Sequence, residues 1–517
     1  MKDMKSSVIS KSFLVSLGGV MAMNGFARTE KGISQQPNIV FIFADDMGYG
    51  DVSALNENSK LNTVNIDRIA NEGVIFTDAH SSSSVSTPSR YSLLTGRYNW
   101  RSDMKYGVLG GYSKSLIRQD RRTIANVLRD KGYTTACIGK WHLGWNWNNI
   151  EAGYDEVDFT KPVTEGPTTR GFDYFYGISG SLDMIPYVYL ENEMPTAQPN
   201  RITVNKGKFS WWREGPTASD FVHEEVLPNF VNRAVHYIDE KANSGQPFFL
   251  YLPLPAPHTP ILPIKEYQGK SGLNPYGDFV LMVDDMVGKV LRALDDNGIA
   301  ENTIIVFSTD NGCSREADFE ELGKKGHDPS YIYRGSKSDL YDGGHRIPCV
   351  LRWPKKVKHH VVNQTICLTD FFATFAAVND YQVKDFEGED SYNLLPLILN
   401  TKEDNVIREA TVHHAIYGDF TIRCGDWKLL LAPSSGGWSY PSPVKDTAYV
   451  KTLPSVQLYN MKTDPEESKN VYAEHPEVVK KLRDILIRYV KDGRSTPGKP
   501  QRNDGPEVWK QLKWMED

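Results

Sequence analysis

Residues 86–97, which read STPSRYSLLTGR, combine a nucleophilic side chain with the features of a helix start. Thr87 is suited to cap a helix, and Pro88 is suited to its first turn. This arrangement places Ser86 at the positive end of a helix, where an anion is stabilised, and Arg90 about one turn further on the same side. The segment predicts a serine that handles an anionic substrate, although an ordinary helix start has the same features.

A second set of residues offers only oxygen ligands to a metal ion. Asp45 and Asp46 follow one apolar run, and Asp310 and Asn311 follow another. Such ligands favour a hard cation, calcium first and magnesium second, whereas zinc prefers nitrogen or sulfur. Open α/β sheets place their sites at the carboxyl ends of parallel strands, so we expect the two pairs to meet there. Each pair alone would also fit a surface turn.

The elements that must position these residues are four continuous apolar runs with helical segments between them. Unbroken rather than alternating apolar strands indicate a parallel sheet that is covered on both faces. Strands that alternate with helices indicate an α/β fold. The predicted strands lie at 39–44, 134–138, 248–252 and 303–307, and the predicted helices at 65–72 and 280–294.

The chain is predicted to divide into unequal parts. Residues 36–395 form the predicted catalytic domain, and residues 405–517 form a smaller α+β subdomain with an antiparallel sheet. Between residues 150 and 235 the periodic pattern weakens and glycine, proline and aromatic residues dominate, which predicts irregular insertions that shape a cleft. The subdomain's predicted elements are strands at 420–423 and 427–431 and a helix at 476–490.

The first residues are typical of a secretory signal. A basic start is followed by an apolar stretch at 13–23 and by small residues at 25 and 27. We predict a signal peptide at residues 1–27, and therefore a periplasmic or secreted protein. The apolar stretch is too short to span a membrane, and no later stretch is predicted to do so.

Composition argues against some classes of function. The net charge of −6 gives no sign of the clustered basic face that nucleic-acid binding needs. An anionic substrate must therefore be met by a local positive pocket. The five cysteines have neither metal-binding nor redox spacing, so we predict buried free thiols. These cysteines are Cys137, Cys313, Cys349, Cys367 and Cys424.

The Ser-x-Pro-Ser-Arg and Leu-Thr-Gly-Arg pattern that begins at Ser86 resembles the signature of type I sulfatases. Family members more often carry Glu where this chain has Asp342. The resemblance implies a sulfuric ester hydrolase with an alkaline-phosphatase-like sandwich fold and a large, mostly parallel central sheet. Further motifs of that family are DDMGYGD at 45–51, GKWHLG at 139–144, PHTP at 257–260, STDNG at 308–312, and Lys337 with DGG at 342–344.

The resemblance also implies a covalent mechanism. In that family the serine or cysteine at the position of Ser86 is oxidised to formylglycine. One hydroxyl of its hydrate attacks sulfur, and the other then expels sulfate. A serine at this position implies a radical maturating enzyme as a partner. The implied metal ligands are Asp45, Asp46, Asp310, Asn311 and residue 86 itself, and the ion acidifies the attacking hydroxyl.

Further roles come from the same resemblance. Arg90 and Lys140 hold the formylglycine, and His142 bonds its hydroxyl. Lys337 and His258 contact the sulfate. His258 also protonates the leaving oxygen, because a sugar alkoxide is a poor leaving group.

The substrate is implied by two weaker similarities. The segments 97–101 and 177–183 resemble those of bacterial sulfatases that act on galactose-type sugars. We expect exo-acting removal of a 6-O-sulfate from galactose or N-acetylgalactosamine of host glycosaminoglycans or mucins. Asp183 could accept the proton of the axial O4 hydroxyl, or it could merely cap a turn. The alternatives are a 4-O- or 3-O-sulfatase, a phosphoester or phosphonate hydrolase, and an inactive binder of sulfated glycans.

Overall fold

The computed structural model of the chain describes residues 36–401 and 406–516. The predicted signal peptide at residues 1–27 lies outside the described residues. The strands are, in chain order, β1 (Asn38–Asp45), β2 (Val74–Phe76), β3 (Ala79–His80), β4 (Thr134–Lys140), β5 (Tyr174–Ile178), β6 (Leu190–Glu191), β7 (Met194–Pro195), β8 (Pro199–Asn205), β9 (Trp212–Ala218), β10 (Phe248–Pro257), β11 (Thr303–Thr309), β12 (Cys349–Arg352), β13 (His360–Val362), β14 (Ile366–Cys367), β15 (Thr411–His414), β16 (Phe420–Cys424), β17 (Trp427–Leu430) and β18 (Gln457–Asn460).

Helices follow most of the sheet strands. The predicted helix at 280–294 is the central part of α5, whose start is capped by the side chain of Asn274. The α-helices are α1 (Val64–Asn71), α2 (Ser86–Thr95), α3 (Ile124–Asp130), α4 (Val226–Ala242), α5 (Pro275–Asp296), α6 (Phe319–Lys324), α7 (Asp342–His345), α8 (Asp370–Val378), α9 (Leu395–Ile398), α10 (Thr447–Val450) and α11 (Pro476–Asp492).

Ten strands form the central sheet of the described chain, in the order β13-β2-β12-β11-β1-β10-β4-β5-β6-β7. The four predicted apolar strands are its middle, where β11, β1, β10 and β4 run parallel to one another. They are buried almost throughout, as expected for strands that are covered on both faces. Helices α1, α4 and α5 pack together, and α2, α3 and α8 form a second group. The predicted α/β class and mostly parallel sheet are confirmed.

A second, smaller sheet lies in the C-terminal part. Strands β15, β16, β17 and β18 pair antiparallel in that order, as the sequence predicts for the two strands it located there. The predicted helix at 476–490 is α11, whose Leu482 and Leu486 share a core with Ile422 of β16. The division into domains at 36–395 and 405–517 stays a prediction.

The stretch from 150 to 235 is more regular than the sequence predicts. Strand β5 extends the central sheet parallel to β4, β8 and β9 form a hairpin, and α4 begins at Val226. The glycine in β5 weakens the sequence pattern, yet the fold requires it. A Cβ on Gly177 would lie 1.9 Å from the carbonyl oxygen of Gly139 in β4.

Two smaller predictions have different outcomes. Helix α2 already begins at Ser86 with Val85 as its N-cap, so the predicted capping role of Thr87 is wrong. The Thr87 hydroxyl is engaged elsewhere, because it accepts a hydrogen bond from the backbone of Leu109 at 3.1 Å. The five cysteines are free thiols, as predicted, and only Cys424 is not fully buried. No helix in the described ranges is both long and apolar enough to cross a membrane.

Candidate active site

The two carboxylate pairs meet where parallel strands end. Asp45 is the last residue of β1, and Asp310 follows β11, which is paired with β1 in parallel register. The backbone of Asp46 adopts a φ of 65°, and its N–H donates to Oδ1 of Asp310 at 3.2 Å. This left-handed turn directs the chain back over the strand end. All four residues therefore lie together at one edge of the sheet, as the sequence predicts, while their role as ligands stays a prediction.

Helix α2 presents Ser86 to this cluster. The Ser86 hydroxyl is buried and donates to Oδ1 of Asp45 at 3.1 Å. Arg90, one turn later, is fully buried; its guanidinium lies 2.7 Å from Asp310 and 3.5 Å from Asp45. The helix start thus supplies both a hydroxyl and a cation to the same carboxylates.

The end of β4 supplies Lys140. Its ammonium lies 2.5 Å from Oδ2 of Asp45 and is fully buried. Burial alone would disfavour the charged form of Asp45, but the Lys140 ammonium and neighbouring cations outweigh it and hold the pKa of that carboxyl well below its usual range.

His142 lies just beyond Lys140 in a left-handed backbone conformation, with a φ of 53°. Its Nε2 contacts the carbonyl oxygen of Leu109 at 2.7 Å, which fixes the proton on that nitrogen. Its Nδ1 is buried and has no hydrogen-bond partner among the described residues. Burial, reinforced by the nearby Lys140 charge, lowers the pKa of His142 well below its usual value. The Nδ1 lone pair of the neutral ring is therefore free to accept a hydrogen bond.

His258 and Lys337 complete the pocket on the other side. The Lys337 ammonium lies 2.7 Å from Oδ2 of Asp46, and Nε2 of His258 lies 3.6 Å from the same atom. Both side chains are about nine-tenths buried. Burial opposes the charge on Lys337, but Asp46 outweighs it and raises the pKa of the ammonium above its usual value.

The donor set fits a divalent cation. Among the described residues, Oδ1 of Asn311 is buried without a hydrogen-bond partner, while its amide nitrogen donates to Asp46 at 2.7 Å. Ligand atoms of Asp45, Asp46 and His258 lie within 4.8 Å of one another. Three carboxylates face three basic side chains here, namely Arg90, Lys140 and Lys337. A divalent cation would therefore leave the pocket with a surplus of positive charge for an anionic substrate.

Asp183 lies in the loop that follows β5. The backbone of His142 donates to Ser179 in the same loop, so this loop runs beside the pocket. The Asp183 side chain is 4% exposed and pairs with Arg213 through one oxygen. Its other oxygen and the hydroxyl of Ser181 are buried without partners in the described part of the chain. The side chain's contact is thus an ion pair rather than the turn cap that the sequence left open.

Sequence reasoning missed the residues that hold the loop of Lys337. Asp342 accepts a hydrogen bond from Lys428 at 2.7 Å, and its backbone donates to Glu467 at 2.6 Å. Both partners are fully buried, so α7 is tied to the C-terminal sheet. The only available signal was a lysine inside an otherwise apolar strand, at residues 427–431.

Taken together, the cations and oxygen donors of this pocket fit a hydrolase that acts on an anionic ester with the help of a divalent cation. Residues 37–381 match the family model described as Sulfatase. The chain belongs to the sulfatase family, and it is a sulfuric ester hydrolase, as its motifs predict.

Similar proteins agree with this assignment. An N-acetylgalactosamine-6-O-sulfatase of Bacteroides thetaiotaomicron is 33% identical over 88% of this chain and 93% of its own length. Human arylsulfatase A is 30% identical over 92% of each chain. A solved 6S-sulfatase structure, from work on the metabolism of multiple glycosaminoglycans by B. thetaiotaomicron, has a TM-score of 0.76 and 32% identity, and the match covers 88% of this chain and 99% of that one.

Proposed function

We propose that this sulfatase removes a 6-O-sulfate from a terminal galactose or N-acetylgalactosamine of host glycosaminoglycans or mucins. The observation that carries the choice of sugar is the buried Asp183 carboxylate, one oxygen of which has no partner among the described residues. An axial O4 hydroxyl can donate to that oxygen, whereas the equatorial O4 of a gluco sugar points elsewhere. A site built around such a hydrogen bond rejects the wrong epimer strongly, because its own polar group stays unpaired. The names of relatives support the same sugar and position.

The proposed nucleophile derives from Ser86, which a radical maturating enzyme oxidises to formylglycine. The hydrated aldehyde supplies one hydroxyl to take the sulfuryl group and a second to release it. Arg90 and Lys140 hold this residue at the helix start, where the Ser86 hydroxyl donates to Asp45. His142 accepts a hydrogen bond from this hydroxyl at its free Nδ1, because its Nε2 already contacts the Leu109 carbonyl.

A calcium ion, or magnesium in its place, is the proposed metal. Asp45, Asp46, Asp310 and Asn311 would hold it together with residue 86. When bound, the ion supplies acidification of the hydroxyl and charge for the sulfate oxygens. The unpartnered Oδ1 of Asn311 supports this assignment.

The remaining cations act on the sulfate and the leaving group. Lys337 binds a sulfate oxygen, and His258 binds another and passes a proton to the departing sugar oxygen. His258 is suited to both tasks because its Nε2 faces the pocket while its Nδ1 contacts the Thr259 carbonyl at 2.5 Å. We further propose that the enzyme acts in the periplasm or outside the cell, as predicted from residues 1–27.

A panel of regiodefined sulfated sugars tests the substrate. We expect the 6-O-sulfates of galactose and N-acetylgalactosamine to be hydrolysed and 6-O-sulfated glucosamine to be a much poorer substrate. A preference for 4-O- or 3-O-sulfates would show that the position is wrong, and comparable rates on the gluco sugar would show that O4 is not recognised.

Two further measurements separate the remaining alternatives. Intact-mass analysis of the peptide containing Ser86 distinguishes the active enzyme, which carries formylglycine, from a catalytically silent binder. Parallel assays with sulfate and phosphate esters of one sugar distinguish a sulfatase from a phosphoester hydrolase, for which hydrolysis of the phosphate ester at a comparable rate is expected.

A further inference from the structure

The loop at residues 105–109, here called the anchored loop, contacts the candidate active site through the backbone of Leu109. The N–H of Leu109 donates to the hydroxyl of Thr87, the residue after Ser86, at 3.1 Å. Its carbonyl oxygen accepts a hydrogen bond from Nε2 of His142 at 2.7 Å. That bond decides which ring nitrogen of His142 carries the hydrogen and how the ring is oriented. The position of Leu109 therefore controls the geometry of His142.

The anchored loop has little burial of its own to keep it in place. Tyr106 is 63% exposed, and a single backbone hydrogen bond, from Gly107 to the Ile416 carbonyl at 2.8 Å, supports the middle of the loop. Lys105 is the one buried side chain among residues 103–110. The conformation of the loop therefore depends largely on the contacts of Lys105.

The Lys105 ammonium is surrounded by neutral groups. It donates to the carbonyl oxygens of Trp100 at 2.9 Å and Asp504 at 2.8 Å, and it lies 4.2 Å from the ring centre of Trp509. Among the described residues, no carboxylate lies within ion-pair distance of it. Burial of an ammonium is costly unless other polar groups replace its water. Here the two carbonyl groups and the aromatic face do so, and the ammonium joins two segments that are distant in the chain.

The junction to which Lys105 is fastened is itself firmly held. The Asp504 carboxylate lies 2.6 Å from the guanidinium of Arg97, which is fully buried. The backbone N–H of Asp504 donates to the carbonyl oxygen of Arg101, also at 2.6 Å. The start of the anchored loop is thus attached to a fixed contact between residues 97–101 and the C-terminal segment.

We propose that Lys105 is a positioning residue for sulfate ester hydrolysis, because it fixes the anchored loop and thereby holds the Leu109 carbonyl where it orients His142. Lys105 acts only through this loop, since none of its partners belongs to the candidate active site. The inference rests on the role that the proposed function gives to His142, but not on the identity of the sugar. Loss of the ammonium should lower kcat and spare KM, because Lys337 and His258, the proposed sulfate contacts, lie on other elements.

A double-mutant cycle with a small aryl sulfate tests this role. Lys105→Met keeps a long side chain but removes the ammonium, and it should lower kcat about tenfold with KM within twofold of the wild type. In a His142→Gln background the same change should alter kcat less than twofold, because the residue that the loop orients is already gone. Rates are expressed per formylglycine, measured by intact mass, so that altered maturation does not contribute. Hydrogen exchange at the Leu109 amide should be faster in Lys105→Met.

Two further variants complete the design. Lys241→Met is the matched control, because Lys241 is a half-buried lysine that also rests on an aromatic ring, that of Tyr237 at 5.4 Å, at the end of α4. It should leave kcat and KM unchanged. If Lys105→Met fails to fold, Lys105→Gln, which retains two N–H donors on a shorter side chain, takes its place in the cycle.

Three outcomes would overturn the proposal, and they are distinguishable. An unchanged kcat in Lys105→Met would refute the positioning role directly. An equal loss in the wild-type and His142→Gln backgrounds would show that Lys105 supports the fold and does not act through His142. An unchanged kcat in His142→Gln alone would refute the role of His142 in the proposed function, and the inference with it.

Discussion

The candidate active site, here called the pocket, and its proposed sugar-facing rim, the loop of Asp183 with its partner Arg213, use charge differently. In the pocket, the cations Arg90, Lys140 and Lys337 each lie against a buried carboxylate. At the rim, Asp183 pairs with Arg213 through one oxygen, and its other oxygen is buried without a partner among the described residues. The cations of the pocket are already paired with its carboxylates, whereas one carboxylate oxygen of Asp183 at the rim has no partner among the described residues.

This difference indicates which residues should determine the specificity for one substrate over another. The pocket acts on the sulfate group, which is common to every sulfate ester. In the proposed function, the rim contacts only the sugar that carries the sulfate. Changes in the pocket should therefore reduce turnover of all substrates, and changes at the rim should separate one substrate from another.

The largest effect is expected for Ser86→Ala, which removes the proposed precursor of the nucleophile. Turnover of sugar and aryl sulfates should both be abolished, because neither can bypass the covalent step. Thermal unfolding and metal content should stay close to the wild type, since the other four proposed metal ligands remain and only the hydroxyl of residue 86 is lost. Activity within tenfold of the wild type on either substrate would refute the role of Ser86.

Loss of the metal should rank next. Treatment with a chelator is expected to lower turnover of all sulfate esters by at least ~10²-fold, and calcium or magnesium should restore it. Asp310→Ala should also lower turnover of all sulfate esters. It should shift the pH-rate profile to higher pH, because the attacking hydroxyl becomes less acidic. Asp295→Asn, on the exposed end of α5, is the control. Active enzyme that contains no bound ion by elemental analysis would contradict the assignment.

His258→Ala gives the sharpest test within the pocket. A sugar alkoxide needs a proton when it leaves, whereas an aryl oxide leaves unaided. The variant should lose ~10²–10⁴-fold in kcat on sugar sulfates and far less on aryl sulfates. An equal loss on both substrate types would instead point to a structural or sulfate-binding role for His258.

The sequence predicted the pocket far better than the rim. Asp45 and Asp310 each follow an apolar strand, and Ser86 lies at a helix start, so local patterns were enough to bring them together. The rim depends on a contact between distant segments, the ion pair of Asp183 with Arg213. No local pattern encodes such pairs, because each forms only when separate loops pack side by side.

The same limit explains the errors in the fold. Helix α2 begins two residues earlier than predicted, because tertiary contacts engage the hydroxyls of both Ser86 and Thr87. Strand β5 was missed because Gly177 interrupts its apolar pattern. That glycine is needed where β4 approaches closely, which is a property of the sheet and not of the segment.

Asp183→Ala should separate the two regions directly. We expect kcat/KM on the galacto 6-O-sulfate to fall by roughly 10²-fold if the O4 hydrogen bond forms in the transition state. A small aryl sulfate should be nearly unaffected. Arg213→Gln is the companion variant, because it frees the second Asp183 oxygen while leaving the carboxylate in place. A comparable loss on the aryl sulfate in Asp183→Ala would mean that the rim supports the pocket structurally, and the contrast between them would fail.

The smallest effect on turnover is expected from a comparison of two buried histidines. They differ in whether both ring nitrogens have hydrogen-bond partners. His142 keeps a free Nδ1, whereas both nitrogens of His413 have partners, the Ser81 carbonyl at 2.8 Å and the Thr411 hydroxyl at 3.0 Å. Burial lowers the pKa of both histidines well below the usual value. His142→Gln should therefore reduce turnover, and His413→Gln should change stability but not kcat.

The pH dependence of unfolding checks the second half of that contrast. The folded state keeps His413 neutral, while the unfolded chain takes up a proton below a pKa of about 6.5. Its contribution to stability is therefore fully present above that pH and is lost as the pH falls, by about 2 kcal/mol at pH 5. The wild-type Tm should drop between pH 7 and pH 5, and it should drop less in His413→Gln, which has one proton fewer to gain. An identical slope in His413→Gln and the wild type would show that His413 is not held neutral by the fold.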